Sequence, residues 1–467
     1  MLKKLFLFAI LLLPFLAFSQ KNGFRIDFQI KGWENKQVYI EYHYGKKNLI
    51  LDSVLLGNTG KAYVKGDTAL LGGIYMLVLP QKAFIEFIVD NRNQFFSLKT
   101  DTADIINHLK FKNSDDNKAF MMYQKHAYAN LARNSWYQKR IRANMNNVDS
   151  INKINDEIEA FNNIQNEYRK AFIKQHENTF LAKLITALLE PTVPNPPEGL
   201  SKRASRQWKY SYYKAHYWDN IDFSDARLLR TTLIENKINS FFTRVVPNNI
   251  DSIIKESEQL IEKSKANTEV YRFVANKLLS NFEMSGKWSN DNIFVALANK
   301  YYLSGQAPWA DSLFIKQLAF RVNMMTPTLI GKRIPTTVFT TMNDSQQFIV
   351  DTIPAKILIL YFWSADCEHC KKYTPKLYDL YKRYKDKGLE VVAITATNDF
   401  DEWRQYVKEN HYNEWINGYY KGNYVQLLNL YDVYMTPHIF IIDKNKTIIQ
   451  KDLEVKSIEN ILERYLN

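Results

Sequence analysis

The chain carries only two cysteines in 467 residues, Cys367 and Cys370, with Glu368 and His369 between them. The pair lies where an apolar run, "KILILYFWS", hands over to a helical pattern, "CKKYTPKLYDLYKRYKDKG". A thiol in the first turn of a helix faces unpaired backbone N–H groups and the positive end of the helix dipole. Those groups favour the thiolate and lower its pKa from about 8.5 into a range of roughly 3.5–7.5. Cys367 comes first and nearer to solvent, so it is the expected nucleophile. Cys370, one turn further in, is placed to resolve a mixed disulfide. Between them, His369 favours the Cys367 thiolate when it is protonated or donates a hydrogen bond, and Glu368 opposes it by like-charge repulsion.

Other uses of the pair compete with this one. A structural staple is a poor fit, because two cysteines this close shut a loop too small to add much stability. Structural zinc needs four ligands, and beyond Cys367, Cys370 and His369 or His438 the chain offers no second cluster. Delivery of copper through the two thiolates is an alternative. So is a redox-inactive scaffold of the envelope, against which stands the retention of both cysteines.

The elements around the pair are of the kind that fix it in space. Between Lys356 and Ser364 the run is apolar throughout, as in a strand buried on both faces. Gly388 is placed to end the helix that follows. "LEVVAITAT" reads as a second buried strand, "DEWRQYVKEN" as another helix, "HIFIIDKNKTIIQKD" as two strands about the turn Asp443–Asn445, and "SIENILERYL" as a terminal helix. Strands alternating with helices imply an α/β domain with a mixed sheet.

With Phe362–Trp363 upstream, Lys371–Lys372 and Pro375 after the pair, and "YMTPHIFIIDK" further on, this segment resembles the thioredoxin superfamily. The likeness is greatest to the extracytoplasmic TlpA/ResA-like thiol-disulfide oxidoreductases. The resemblance implies that Pro437 is cis and packs beside the cysteines, and that the Thr436 backbone pairs with a substrate chain. It also implies that Trp363 lies against the disulfide, where its emission would report the redox state. No cofactor is implied. The partners implied are client proteins with thiols or disulfides and a separate, unidentified redox partner. Two positions depart from the family: Tyr361 stands where thioredoxins carry a buried acid, and Tyr373 where ResA-like proteins carry a glutamate. The proton acceptor for Cys370 is therefore left to Glu368 or water.

The rest of the chain gives a multidomain reading. Residues 1–19 form a signal peptide, with Lys3 and Lys4 before an apolar run too short to span a bilayer and Ala17 and Ser19 at the cleavage site. Residues 20–112 alternate apolar and polar residues over six or seven short strands, which implies an antiparallel, sandwich-like all-β domain. Residues 113–325 follow a helical period, broken by four prolines in "PTVPNPPEGLSKR", and residues 326–467 form the thioredoxin-like α/β domain. In "QWKYSYYKAHYW" the expectation is a helix that buries Tyr210, Tyr213 and Tyr217 and leaves Lys209 and Lys214 in water; a ligand-stacking surface is the sharper alternative. Export places the mature chain outside the cytoplasm, in the periplasm, with no membrane span. Net charge is +13, and an exported chain rarely meets nucleic acid, so the basic excess fits an anionic envelope surface better. The large extension leaves a homodimer open.

Overall fold

The computed structural model describes residues 23–284, 291–397 and 399–466. The signal segment expected at 1–19 lies outside them. The chain divides into two compact units, residues up to Thr243 and residues from Arg244 onward.

The first unit begins with eight strands: β1 (Phe24–Lys31), β2 (Gln37–Tyr44), β3 (Lys47–Leu55), β4 (Lys61–Gly66), β5 (Gly73–Val78), β6 (Phe84–Val89), β7 (Phe95–Asp101) and β8 (Lys110–Lys112). They form two four-stranded sheets, β4-β1-β7-β8 and β3-β2-β5-β6. Period-two alternation drives the pairing. Ile26, Phe28 and Ile30 of β1, Phe96 and Leu98 of β7, and Val38, Ile40, Leu77 and Phe87 of the other sheet fill one core between the layers. One sequence expectation is corrected: the domain is not antiparallel throughout, because β1 and β7 run parallel. The intervening strands β5 and β6 pair within the other sheet, so the chain re-enters beside β1 in the same direction. The turn before β4 needs Gly60, at φ +69°, since a Cβ there would stand 2.2 Å from the Ile30 carbonyl oxygen.

Helices α1 (Asp115–Ala143), α2 (Val148–Gln175), α3 (Phe180–Ala187), α4 (Lys202–His216) and α5 (Leu233–Ser240) complete this unit. Ser114 and Asn147 cap α1 and α2 by accepting from Asn117 N and Ser150 N. The two helices run antiparallel, joined by His126 to Gln165 at one end and Arg140 to Glu157 at the other. The aromatic cluster departs from its expected packing. No residue of α4 is buried; Tyr210 and Tyr213 are half-exposed, and Tyr217, just past its end, is the tyrosine that reaches the core. Lys209 is exposed as expected, but Lys214 is half-buried. Trp208, Tyr212 and His216 instead stack on one another one turn apart.

The second unit begins with α6 (Ile250–Ser264), α7 (Thr268–Met284), α8 (Asp291–Leu297) and α9 (Ser312–Met325). The helical region read over 113–325 is thus shared between the two units. The remainder is β9 (Val338–Thr341), β10 (Gln347–Ile349), β11 (Ile357–Trp363), α10 (Glu368–Tyr384), β12 (Leu389–Thr395), α11 (Phe400–Glu409), β13 (Ile416–Tyr419), α12 (Tyr424–Tyr431), β14 (His438–Asp443), β15 (Ile448–Lys451) and α13 (Val455–Leu466). The strands form one mixed sheet in the order β10-β9-β13-β12-β11-β14-β15. Every residue of β11 is buried, because both faces of the sheet are covered. Ile357, Ile359, Tyr361 and Trp363 face a core completed by α10, α11 and α13. Leu358, Leu360 and Phe362 face the opposite core, with Leu427 and Tyr431 of α12.

Ion pairs tie α8 to this sheet and α9 to the end of α12. Lys451 of β15 is paired with Asp291 of α8 at 2.6 Å, both side chains out of water. Arg321 of α9 binds Asp432, which is wholly buried. Burial pushes the Asp291 carboxyl above its ordinary range even with Lys451 beside it. Such a pair fixes which helix face meets which strand more than it adds stability. Asp291→Ala is expected to cost about 3–5 kcal/mol in chemical denaturation, because it removes the carboxylate from beside the buried Lys451 charge. The double change Asp291→Leu/Lys451→Met should recover most of that loss. If the double variant is no more stable than the single one, the pair is not what joins these elements.

Candidate active site

The strand-to-helix junction after β11 sets the site. Cys367 is the N-cap of α10, with extended backbone (φ −82°, ψ 114°), and its Sγ accepts the Cys370 backbone N–H at 3.2 Å. A sulfur thus fills the place usually taken by a Ser or Asp oxygen. On its other side, the Cys367 S–H points to the Thr436 carbonyl oxygen at 3.3 Å. The Thr436–Pro437 peptide is cis, as the resemblance implies. Cys367 is partly exposed and Cys370 is fully buried; both are free thiols.

The surroundings shift the two thiols in opposite directions. Burial pushes Cys367 up, but hydrogen bonds from the Cys370 and Thr436 side chains and from the backbone N–H groups of Cys370 and His369 outweigh it and hold the pKa below the ordinary value. For Cys370, burial and then the neighbouring Cys367 push the pKa up to about 12. The arrangement therefore favours the thiolate at the sulfur near solvent and the protonated form at the sulfur beneath it.

The residues between the cysteines are both exposed. Glu368 is held by Lys371 at 3.2 Å on the solvent side of α10. His369 contributes to the Cys367 thiolate through its backbone N–H. Trp363 is wholly buried, in the same core as Cys370, with its ring stacked 6.1 Å from that of Tyr361.

Sequence reasoning missed Thr374. Its hydroxyl donates to the Cys370 carbonyl at 2.8 Å, so the Tyr361 hydroxyl, 2.7 Å away, donates to Thr374. Tyr361 thus spends its proton on the helix beneath the buried thiol, and burial raises its own pKa well above the ordinary value. The signal was the position of Thr374 one turn after Cys370. Tyr373 turns the other way and donates to the Leu453 carbonyl at 2.5 Å. Neither tyrosine can accept the Cys370 proton near neutral pH.

His438 is engaged elsewhere. Its Nε2 donates to the Tyr431 carbonyl at 3.1 Å, and its Nδ1 lies 2.9 Å from Asp452. It packs 6.4 Å from Phe362, on the face of the sheet away from Cys370. Among the described residues no group of three or more His, Cys, Asp or Glu side chains is arranged to hold a metal ion.

A cysteine capping a helix, a buried second cysteine three residues on and a cis-proline loop against the first sulfur define a thioredoxin-fold exchanger of thiols and disulfides. Comparison with known proteins agrees. A family model described as thioredoxin-like matches residues 355–448, and two domains of unknown function match 24–120 and 150–323. The thiol-disulfide oxidoreductase ResA of Bacillus thuringiensis subsp. konkukian is 30% identical over 137 residues, which cover 29% of this chain and 76% of the relative. ResA of Bacillus anthracis is 30% identical over 138 residues, with the same coverage. A thioredoxin-like protein of Bacteroides caccae, solved by crystallography, is 20% identical over 59% of this chain and 98% of its own, with a TM-score of 0.48. Through its C-terminal domain the chain belongs to the TlpA/ResA-like thiol-disulfide oxidoreductases.

The opposed thiols give a pH signature. Cys367 stays ionised until the pH falls through its lowered pKa, so its alkylation by iodoacetamide should slow only below the ordinary thiol value of about 8.5. Cys370 should stay unreactive in the folded protein across the same range, its pKa being about 12. Rates measured on Cys370→Ser isolate the first thiol. A midpoint at or above the ordinary value would show that the cap does not stabilise the thiolate.

Proposed function

We propose that this protein reduces or isomerises disulfides of client proteins outside the cytoplasm, with Cys367 as nucleophile and Cys370 as resolving thiol. The observation that supports this is the placement of the two sulfurs, one partly exposed at the helix cap where the backbone favours its thiolate and one buried beneath it where the thiol form is favoured.

The Cys367 thiolate attacks one sulfur of a client disulfide, forming a Cys367–client bond and releasing the other client sulfur as thiolate. That thiolate takes up a proton. Cys370 then gives up its proton and attacks the Cys367 sulfur; a Cys367–Cys370 disulfide forms and the second client thiol leaves. Two electrons pass from the protein to the client, and a separate dithiol donor must return them. The departing client thiolate is the base best placed for the Cys370 proton, since Tyr361 and Tyr373 are both committed as donors. The Thr436 carbonyl supports a docking role, because a client strand beside Pro437 can pair with that backbone. In isomerisation the first half of the cycle is reversed onto a different client sulfur, with no net electron transfer. Extracytoplasmic action is supported by the signal pattern of the sequence.

Cys367→Ser is expected to abolish insulin reduction. Cys370→Ser should accumulate mixed disulfides with clients, seen as dithiothreitol-sensitive bands on gels. Wild-type activity in both single variants would overturn the residue roles.

A second measurement decides direction. Equilibrated in graded glutathione buffers, with Trp363 emission and thiol trapping as readouts, the couple is expected at roughly −250 mV or below for a reductant. A value near about −180 mV would favour the isomerase, and one near about −120 mV would make the protein an oxidant and overturn the reading.

A further inference from the structure

The outer face of the sheet β4-β1-β7-β8 forms a groove of about 890 Å³ whose lining has a charge pattern the sandwich itself does not require. Strand register lines up Lys61, Gln29, Lys99 and Lys110 in one row across all four strands. The next row is Tyr63, Asp27, Ser97 and Lys112. Arg25 is neutralised by Asp27 at 2.8 Å and lies 4.3 Å over the Tyr63 ring. No acidic side chain pairs with Lys61, Lys99, Lys110 or Lys112 among the described residues, and all four are exposed.

Lys99 and Lys110 stand directly opposite each other on adjacent strands. Like charges so placed destabilise a sheet. Lysines on the edge strands β4 and β8 discourage edge-to-edge association, but Lys99 is on the inner strand β7, where that role does not apply. Strand spacing sets the charges of the row about 5 and 10 Å apart. One wall of the groove is apolar, formed by Val54 and Leu55, and Leu55 is 60% exposed.

We propose that this groove binds an extended acidic peptide segment. Its carboxylates would meet the lysine row, its apolar side chains the Val54–Leu55 wall, and its backbone amides the Gln29 and Ser97 side chains. The apolar wall and the neutral hydrogen-bonding groups favour a peptide over a phosphate polymer, and a concave groove favours it over a flat lipid surface. The binding stands without the redox chemistry; that the segment belongs to a client of Cys367 rests on the proposed function.

The test uses the full mature chain and a fluorescein-labelled synthetic peptide that alternates Glu with Leu and Ser, followed by anisotropy. A matched peptide with Gln for Glu, inorganic polyphosphate and phosphatidylglycerol vesicles are the comparators. The acidic peptide is expected to bind roughly tenfold tighter than the Gln peptide, and Lys99→Glu/Lys110→Glu should weaken it by about the same factor, while Lys444→Glu, a surface charge reversal outside the groove, should not. Lys110→Glu alone should weaken binding yet melt no lower than wild type, because it places opposite charges across β7 and β8. Lys99→Gln gives the loss of charge with little change of shape should the reversed variant fold poorly. Equal affinity for both peptides, equal affinity of wild type and both lysine variants, an equal loss in Lys444→Glu, or preference for polyphosphate or vesicles would each overturn the proposal. Insulin reduction by the same variants separates the two readings: wild type inactive on insulin but binding the acidic peptide would sink the exchange reaction and leave the groove standing.

Discussion

A sulfur atom serving as helix cap is the interaction on which the site depends. Cys367 Sγ accepts the Cys370 N–H, so the atom that must carry negative charge also satisfies the first turn of α10. The donors that stabilise the thiolate are the side chains of Cys370 and Thr436 and the backbone N–H groups at the start of α10, all placed by the junction itself. The side chains of Glu368 and His369 lie outside this arrangement, in solvent.

Geometry that stabilises one charge also withholds another. Cys370 sits a turn deeper and fully buried, and the hydroxyls of Thr374 and Tyr361 near it are already donating. Thr374 binds the Cys370 carbonyl and Tyr361 binds Thr374, so the chain of hydrogen bonds runs toward the helix backbone and not toward a base. A family that carries acids at these positions has a built-in proton acceptor. In this chain Tyr361 and Tyr373 stand there instead, and both hydroxyls donate to partners other than Cys370.

Around this centre the second unit uses buried charge as a fastening. Lys451 and Asp291 connect α8 to the sheet next to the cis-proline loop, and Arg321 and Asp432 connect α9 to the end of α12. Asp452, next in sequence to Lys451, accepts the Ile439 N–H at 2.7 Å and lies beside His438, the residue after Pro437. The helices before the redox domain are therefore packed into it, and the loop that meets the Cys367 sulfur is held from behind by groups out of contact with solvent. The first unit follows a different plan, with its apolar alternation turned inward and a lysine-rich row turned outward.

The sequence by itself determined the chemistry. Two cysteines two residues apart at a strand-to-helix junction, with Thr436–Pro437 before a second apolar strand, were legible because thiolate activation depends on local backbone. The β character of the first segment and the helical character of the next were legible from periods of two and three to four residues. What the tertiary structure decided were the contacts between residues far apart in the chain. The parallel pairing of β1 with β7 depends on which sheet the intervening strands join, and no local pattern encodes that choice. The short strand β13 and helix α12 escaped notice because each is brief and owes its stability to neighbours. The Tyr361–Thr374 bond spans thirteen residues and the Lys451–Asp291 pair 160, and each becomes favourable only after burial removes water as a partner. The lysine row exists only because register lays four strands side by side, and that register is set by the apolar residues on the opposite face.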